Sequence, residues 1–585
     1  MKNKIVITFL LILAFGATVV IYSCKKSFLD VAPQGVYSED QLTNKKGING
    51  MLISTYASLD GIDNNWYQGG SNWLWGSVMG GDALKGSEAS DQADANPVMN
   101  YTVQAGNPTV SGKWNGIWDG VGQANQVLKS LPNVKDMTAA EIKQVEAEAR
   151  FLRGYHHFEG KKVFNNIPYI DEKITDFKVP NTDGAGAYIN IWPQIEADLK
   201  FAYDNLDETK PNRGRVNKWA AGAYLAKAYM FQKKFTEAKA LYDVIIASGK
   251  TAEGTAYNLT PNYHTTFKVT SEHNSESIFS IESTYGDGST RNGNYDQTLA
   301  FPHSSTTPGA GCCGFFQPSQ NFVNSFKTDG AGLPMPATYN NSDVTRDADL
   351  LSSDPFTPYS GNLDPRLDWS VGRRGIPYLD WGLHPGRDWI RKVGFGGPYS
   401  PKKNVFYKSD VGTTAGAAGW GWNNTALNVS LMRFSDVLLM AAEAEIEVGG
   451  AAGLAKAQTY INRVRARAAT SLIPGSTATY VVNQYTVPFA DQAAARTAVR
   501  FERKLELGME GHRFFDLVRW GIADVVINTE YLPKEAPLYS GDNGQKPLTP
   551  AVFTKNKNEY LPIPDFAISQ SIKDGQPTLK QNPGY

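Results

Sequence analysis

Arg496–Gly521 reads RTAVRFERKLELGMEGHRFFDLVRWG, and the rest of the chain is placed by what this segment is. Its apolar residues Val499, Leu505, Leu507, Met509, Phe514, Phe515, Leu517 and Val518 fall at helical spacing, with a break at Gly511. Phe501 and Leu505 share a face, as do Phe514 and Val518. The charges between them are dense and of both signs. Glu502, Glu506 and Glu510 repel at i,i+4, and nearby arginines could offset that. On physics alone this is an amphipathic helix with a solvated charged face.

Working outward, other segments repeat the helical pattern. Tyr188–Lys250 carries Leu225, Ala226, Tyr229, Ala238 and Tyr242 near the spacing of tetratricopeptide hairpins. There the small residues let two helices approach and the tyrosines fill the groove. Ser435–Ala468 forms a second such hairpin, broken by Gly449-Gly450. Lys113–Leu131, with Trp114 and Trp118 read as core, and Ala139–Phe164 are further helices, and Ser38–Leu59 is another with Ser38 as its N-cap. One hairpin cannot bury its face alone, so these pairs must stack across long gaps in the chain.

Two regions lose all periodicity. Gly61–Met99 holds Trp66, Trp73, Trp75 and Asp82 among Gly, Asn and Ser. Tyr285–Trp422 is rich in Gly and Pro and carries Tyr285, Tyr295, Trp381, Trp389 and Trp420. Long ordered loops are commonly functional. Aromatic rings there can plug the loop onto the helices. They can also stack on the C–H faces of sugars while Asn, Asp and Lys bond the hydroxyls.

The 585 residues carry a net charge of −1, which gives no general attraction to nucleic acid or anionic membrane. Lys2 and Lys4 precede the uncharged run Ile5–Tyr22, which ends at Ser23-Cys24. This is expected to be a signal peptide over residues 1–23, with Cys24 lipidated and holding the mature chain to a membrane. Cys312 and Cys313 are adjacent and lack zinc spacing, and a vicinal disulfide and two free thiols both remain open. No metal motif or nucleophile elbow is present, so no cofactor is expected. Gly286–Asp296 is oxygen-rich but lacks the spaced carboxylates of an EF-hand, which leaves a structural calcium only as a remote option.

The run ERKLEL…EGHRFFDLVRWG resembles the C-terminal signature of the SusD/RagB family. Phe-Leu-Asp after Cys24, the segment Asp364-Pro365-Arg366-Leu367, the helix opening Leu431–Asp436 and the tail from LPIP to QNPGY resemble it too. The resemblance implies a mainly α fold of tetratricopeptide-like hairpins in a right-handed scaffold, with large loop insertions and little β. It divides the mature chain into 24–275 and 276–585, the latter with the loop-rich insertion 285–422. It implies an outer-membrane lipoprotein, facing the cell surface, that binds glycan and acts as the lid of a SusC-like TonB-dependent transporter. A peptide or other nutrient is the alternative cargo, and a glycoside hydrolase with paired carboxylates the remote alternative. Asp364, Arg366, Arg433, Asp436, Arg513 and Asp516 are then architectural. Asp364 with Arg366 is read as an ion pair or turn, and Arg433 as bonding a neighbouring helix terminus. The ligand-binding candidates are Trp66, Trp73, Trp75, Asp82, Tyr285, Tyr295, Trp381, Trp389 and Trp420.

Overall fold

The computed structural model describes residues 7, 42–62, 66–289, 291–304, 311–418 and 422–585. Cys24, Ser38 and Trp420 lie outside them. Helix accounts for 45% of the structure and strand for 9%, so the fold is mainly α.

The frame is a stack of helices packed in chain order: α1 (Lys45–Ala57), α2 (Pro108–Ser130), α3 (Ala139–Phe164), α4 (Trp192–Asn205), α5 (Lys218–Phe231) and α6 (Phe235–Ser248), each against the next along α1–α2–α3–α4–α5–α6. The stack then continues into α7 (Phe434–Val448), which packs on α6, on α8 (Ala451–Thr470) and on α9 (Gln492–Leu507). The caps are set by local chemistry. Asn44 caps α1 through its side-chain oxygen, which accepts from Gly47 N–H at 3.0 Å. Thr138 and Glu141 form a capping box at the start of α3. Ala226 and Ala238 are fully buried where α5 meets α6, and the Tyr242 hydroxyl reaches Met440 Sδ of α7 at 3.2 Å.

The chain leaves this stack after α6 and returns at α7. Strand β2 (Ser277–Ile281) pairs antiparallel with β6 (Val429–Arg433), from Ser277 opposite Arg433 to Ile281 opposite Val429. This ladder closes the long insertion at its root. Within the insertion, β3 (Phe315–Pro318) pairs with β1 (Ala83–Gly86) of the early loop, and β4 (Ala415–Ala418) pairs with β5 (Trp422–Thr425) as a hairpin.

The Arg496–Gly521 segment differs from expectation in one respect. It is two helices, α9 and α10 (Arg513–Trp520), separated at Gly508–His512, but the charged face is not solvated. Glu502 and Glu506 are 0% exposed and Arg503 2%. The arginines that neutralise them come from distant segments. Arg366 binds Asp364 bidentately (3.0 and 2.7 Å) and also reaches Glu502 (2.7 Å) and Glu506 (2.9 Å). Arg433 binds Glu506 (2.5 Å), Glu510 (2.8 Å) and the Glu506 carbonyl at the C-terminal end of α9 (2.6 Å). Arg467 bonds both Glu276 and Glu506. Arg503 joins Asp436 (2.7 Å) to Asp516 (2.8 Å). Burial alone would raise Glu506, yet Arg467, Arg433 and Arg366 hold it well below its ordinary value. Arg513 extends over the Trp520 ring at 5.9 Å.

Candidate ligand-binding site

The early loop is held to the frame by its backbone carbonyls. The buried Trp73 indole N–H donates to the Trp66 carbonyl (3.0 Å), and the Trp75 indole N–H to the Tyr67 carbonyl (2.7 Å). Lys113 of α2, itself buried, donates from Nζ to the carbonyls of Gln68 (3.0 Å) and Gly69 (2.8 Å). Burial lowers its pKa to about 8, against the opposing pull of Glu159 and Asp296. Trp73 and Trp75 are each 1% exposed. They therefore do not offer a stacking surface: they are pins, and the residue they present is Trp66.

Trp66 is partly exposed, and its ring lies nearly parallel to that of Tyr295, with centroids 6.0 Å apart and planes 12° from each other. The Arg291 guanidinium sits 4.4 Å from the same tyrosine ring and donates to the Gly61 carbonyl at 2.9 Å. Beneath the rings, Asp60 Oδ1 accepts from Asp296 N–H (3.2 Å) and Asp296 Oδ2 from Ser71 N–H (3.1 Å). Burial raises both carboxyls, and for Asp60 the charge of Asp296 adds to the effect, with Arg291 opposing. Gly69 is required here, because a Cβ would lie 2.4 Å from Asp296 Cγ.

The 285–297 segment is fixed in turn on the β4–β5 hairpin. Asn294 Nδ2 donates to the Leu427 carbonyl (3.0 Å), and a Cβ on Gly416 would sit 2.4 Å from the Tyr285 hydroxyl. Tyr295 is 0% exposed, so, contrary to expectation, it backs the Trp66 ring and offers no face of its own to a ligand; Tyr285, on the same segment, is partly exposed, and Trp420 lies outside the described residues. Cys312 and Cys313 are joined as a disulfide, and the Cys312 carbonyl accepts from Asn423 of β5 at 2.7 Å.

The remaining aromatics are elsewhere. Trp389 is buried against Phe301, Tyr378 and Phe406, and Trp381 packs partly buried on that same cluster, its indole N–H donating to the Phe406 carbonyl (3.1 Å). Asp82 is wholly buried, with Oδ2 accepting from Met509 N–H (3.3 Å) and Oδ1 without a hydrogen-bond partner among the described residues. Burial pushes its pKa up to about 6, against Arg513 and Lys504. Sequence reasoning missed Arg291, Lys113 and Asp60. Arg291, nested in a glycine- and asparagine-rich run beside Tyr295, was the one with a legible signal.

A concavity of about 860 Å³ opens beside α2, and Trp114 and Trp118 are among the residues that line it. Trp114 is buried, but Trp118 is partly exposed and so is not wholly core.

Residues 275–585 match the SusD family, and residues 27–230 match a family described as starch-binding and associating with the outer membrane. A SusD-like protein of Formosa agariphila is 24% identical over 96% of this chain and 96% of its own length. Among solved structures, a laminarin-binding SusD-like protein superposes with a TM-score of 0.60 at 24% identity, covering 93% of this chain and 100% of that one. Surface glycan-binding protein A of Bacteroides thetaiotaomicron, in complex with laminarihexaose, superposes with a TM-score of 0.64 at 20% identity, covering 92% and 100%.

Proposed function

The chain belongs to the SusD family, and from that premise we propose that it is a non-catalytic glycan-binding lipoprotein of the outer membrane. One observation carries the reading: the partly exposed Trp66 lies parallel to the buried Tyr295, whose ring Arg291 also meets, and its carbonyl is pinned by the buried Trp73. A flat ring offers a face to sugar C–H groups. A preorganised platform binds without having to order its own loop first. The laminarin-binding relatives support glycan as the cargo class.

In the same reading Cys24 carries the lipid, the protein faces the cell surface, and it closes as a lid over a SusC-like TonB-dependent transporter. Binding per sugar is weak, and affinity is gained from several contacts along a chain. The test is affinity electrophoresis of the unlipidated protein (Cys24→Ala) against a polysaccharide panel, with Trp66→Ala in parallel. Retardation by one polymer class, reduced in Trp66→Ala, supports the reading. Capture of peptides and of no glycan would replace glycan by peptide as cargo. Co-purification with a TonB-dependent transporter tests the lid role, and its absence from a membrane pull-down of the lipidated protein counts against it.

A further inference from the structure

The 860 Å³ groove lies between one face of α2, the loop 168–179 and helix α11 (Asp565–Gln570), and includes Trp118, Gln126, Asp171, Phe177, Phe566 and Gln570 in its lining. Its volume falls in the range of small-molecule sites, about 300–1,000 Å³. Its walls are fixed. Asn125 of α2 donates to the Ile170 carbonyl (3.0 Å) and accepts from Arg153 (3.1 Å), and His157 Nε2 accepts from Ile170 N–H (3.1 Å).

Phe177 is the outlier. It is 73% exposed, the side chain a folding chain has least reason to leave in water. The loop nevertheless holds it in place. Asp176 accepts from Lys178 N–H (3.1 Å) and bonds Lys573 Nζ (2.9 Å), in the short hairpin where Ile572–Lys573 pairs with Gln576–Pro577. The same groove is lined by Trp118 and Phe566, both partly exposed, and by the exposed residues Gln126 and Gln570. Apolar rings and amide and carboxylate groups sharing one lining match an oligosaccharide, which presents both C–H faces and hydroxyls.

The groove also adjoins the Trp66 site along the chain. Ile62 lines it, and the preceding Gly61 gives its carbonyl to Arg291, the cation beside Tyr295. We propose that the groove is a second carbohydrate site, which takes the continuation of a glycan chain anchored at Trp66. The proposal rests on the glycan reading of that site. Two linked contacts raise the affinity for long chains far more than for short ones.

The test is calorimetry of the unlipidated protein with a ladder of oligosaccharides from whichever polymer it binds. Phe177→Ala, Phe177→Tyr and Trp66→Ala are compared with the parent. Phe177 makes few packing contacts to lose, so the fold is retained, and a matching melting temperature checks this. Phe177→Ala is expected to weaken binding of the longest chains roughly fivefold and leave the shortest bound oligosaccharides unchanged, while Phe177→Tyr keeps parental affinity. If Phe177→Ala binds every length as the parent does while Trp66→Ala is impaired, the groove proposal is overturned and the Trp66 reading stands. If Phe177→Ala is impaired and Trp66→Ala is not, the groove binds glycan but the Trp66 anchor is wrong. A parent that binds no member of the ladder overturns both.

Discussion

Glu506 is the residue on which the core's electrostatics converge. Three arginines, Arg366, Arg433 and Arg467, contact its two oxygens in a space without water access. Removing one partner of such a cluster strands charge that nothing else can neutralise. Glu506→Gln is therefore expected to destabilise the protein by about 3–5 kcal/mol, read as a lowered midpoint in urea unfolding. A parental midpoint would mean that water or relaxation compensates. Asp82 carries a second residue-scale prediction. Its folded pKa is about 6, above the ordinary carboxyl value, so its contribution to stability is present below about pH 4 and is lost as pH rises through 6. Asp82→Asn should gain stability relative to the parent between those pH values and hold a constant difference above them. Melting curves across that range give the result, and a pH-independent difference would contradict it. None of this could be read locally. The Glu506 carboxylate and Arg366 stand 140 positions apart in sequence, and Glu506 and Arg433 73, so the periodicity of α9 alone suggested a solvated face.

At the scale of elements, the junction between α9 and α10 is where the early loop docks. A Cβ on Gly76 would lie 1.8 Å from the Gly511 carbonyl oxygen, and one on Gly511 would lie 2.0 Å from the Ser71 carbonyl oxygen, at a φ of +76°. The break at Gly511 is thus both a turn and a seat for the Trp73–Val78 segment. Gly511→Ala is expected to cost about 2–3 kcal/mol in thermal unfolding, from strain and overpacking together. An unchanged melting temperature would show that the loop can move away freely. Trp73→Phe keeps most of the buried ring but removes the N–H that holds the Trp66 carbonyl. It should lose about 1 kcal/mol of stability and weaken glycan binding without touching ligand. Parental affinity would sever the pin from the platform. The helices and their order were legible, because 3.6-residue patterns survive in one sequence. The loops were legible only as loops. Which tryptophan is pin and which is platform depends on the carbonyls each indole meets, and on Lys113, which lies in a different helix.

At the scale of the molecule, a helical stack carries two ordered loop systems, and the β2–β6 ladder gathers the longer one at its root. Rigid support for exposed aromatic and cationic groups is what a binding protein requires. The account's central claim is that Trp66 is the anchor of a glycan site. It is tested most directly by the affinity of the parent and of Trp66→Ala for the polysaccharide that best retards the parent. The account predicts that the variant, folded to the same melting temperature, loses most of that affinity while any association with a transporter is kept. Equal affinity of parent and variant would contradict it.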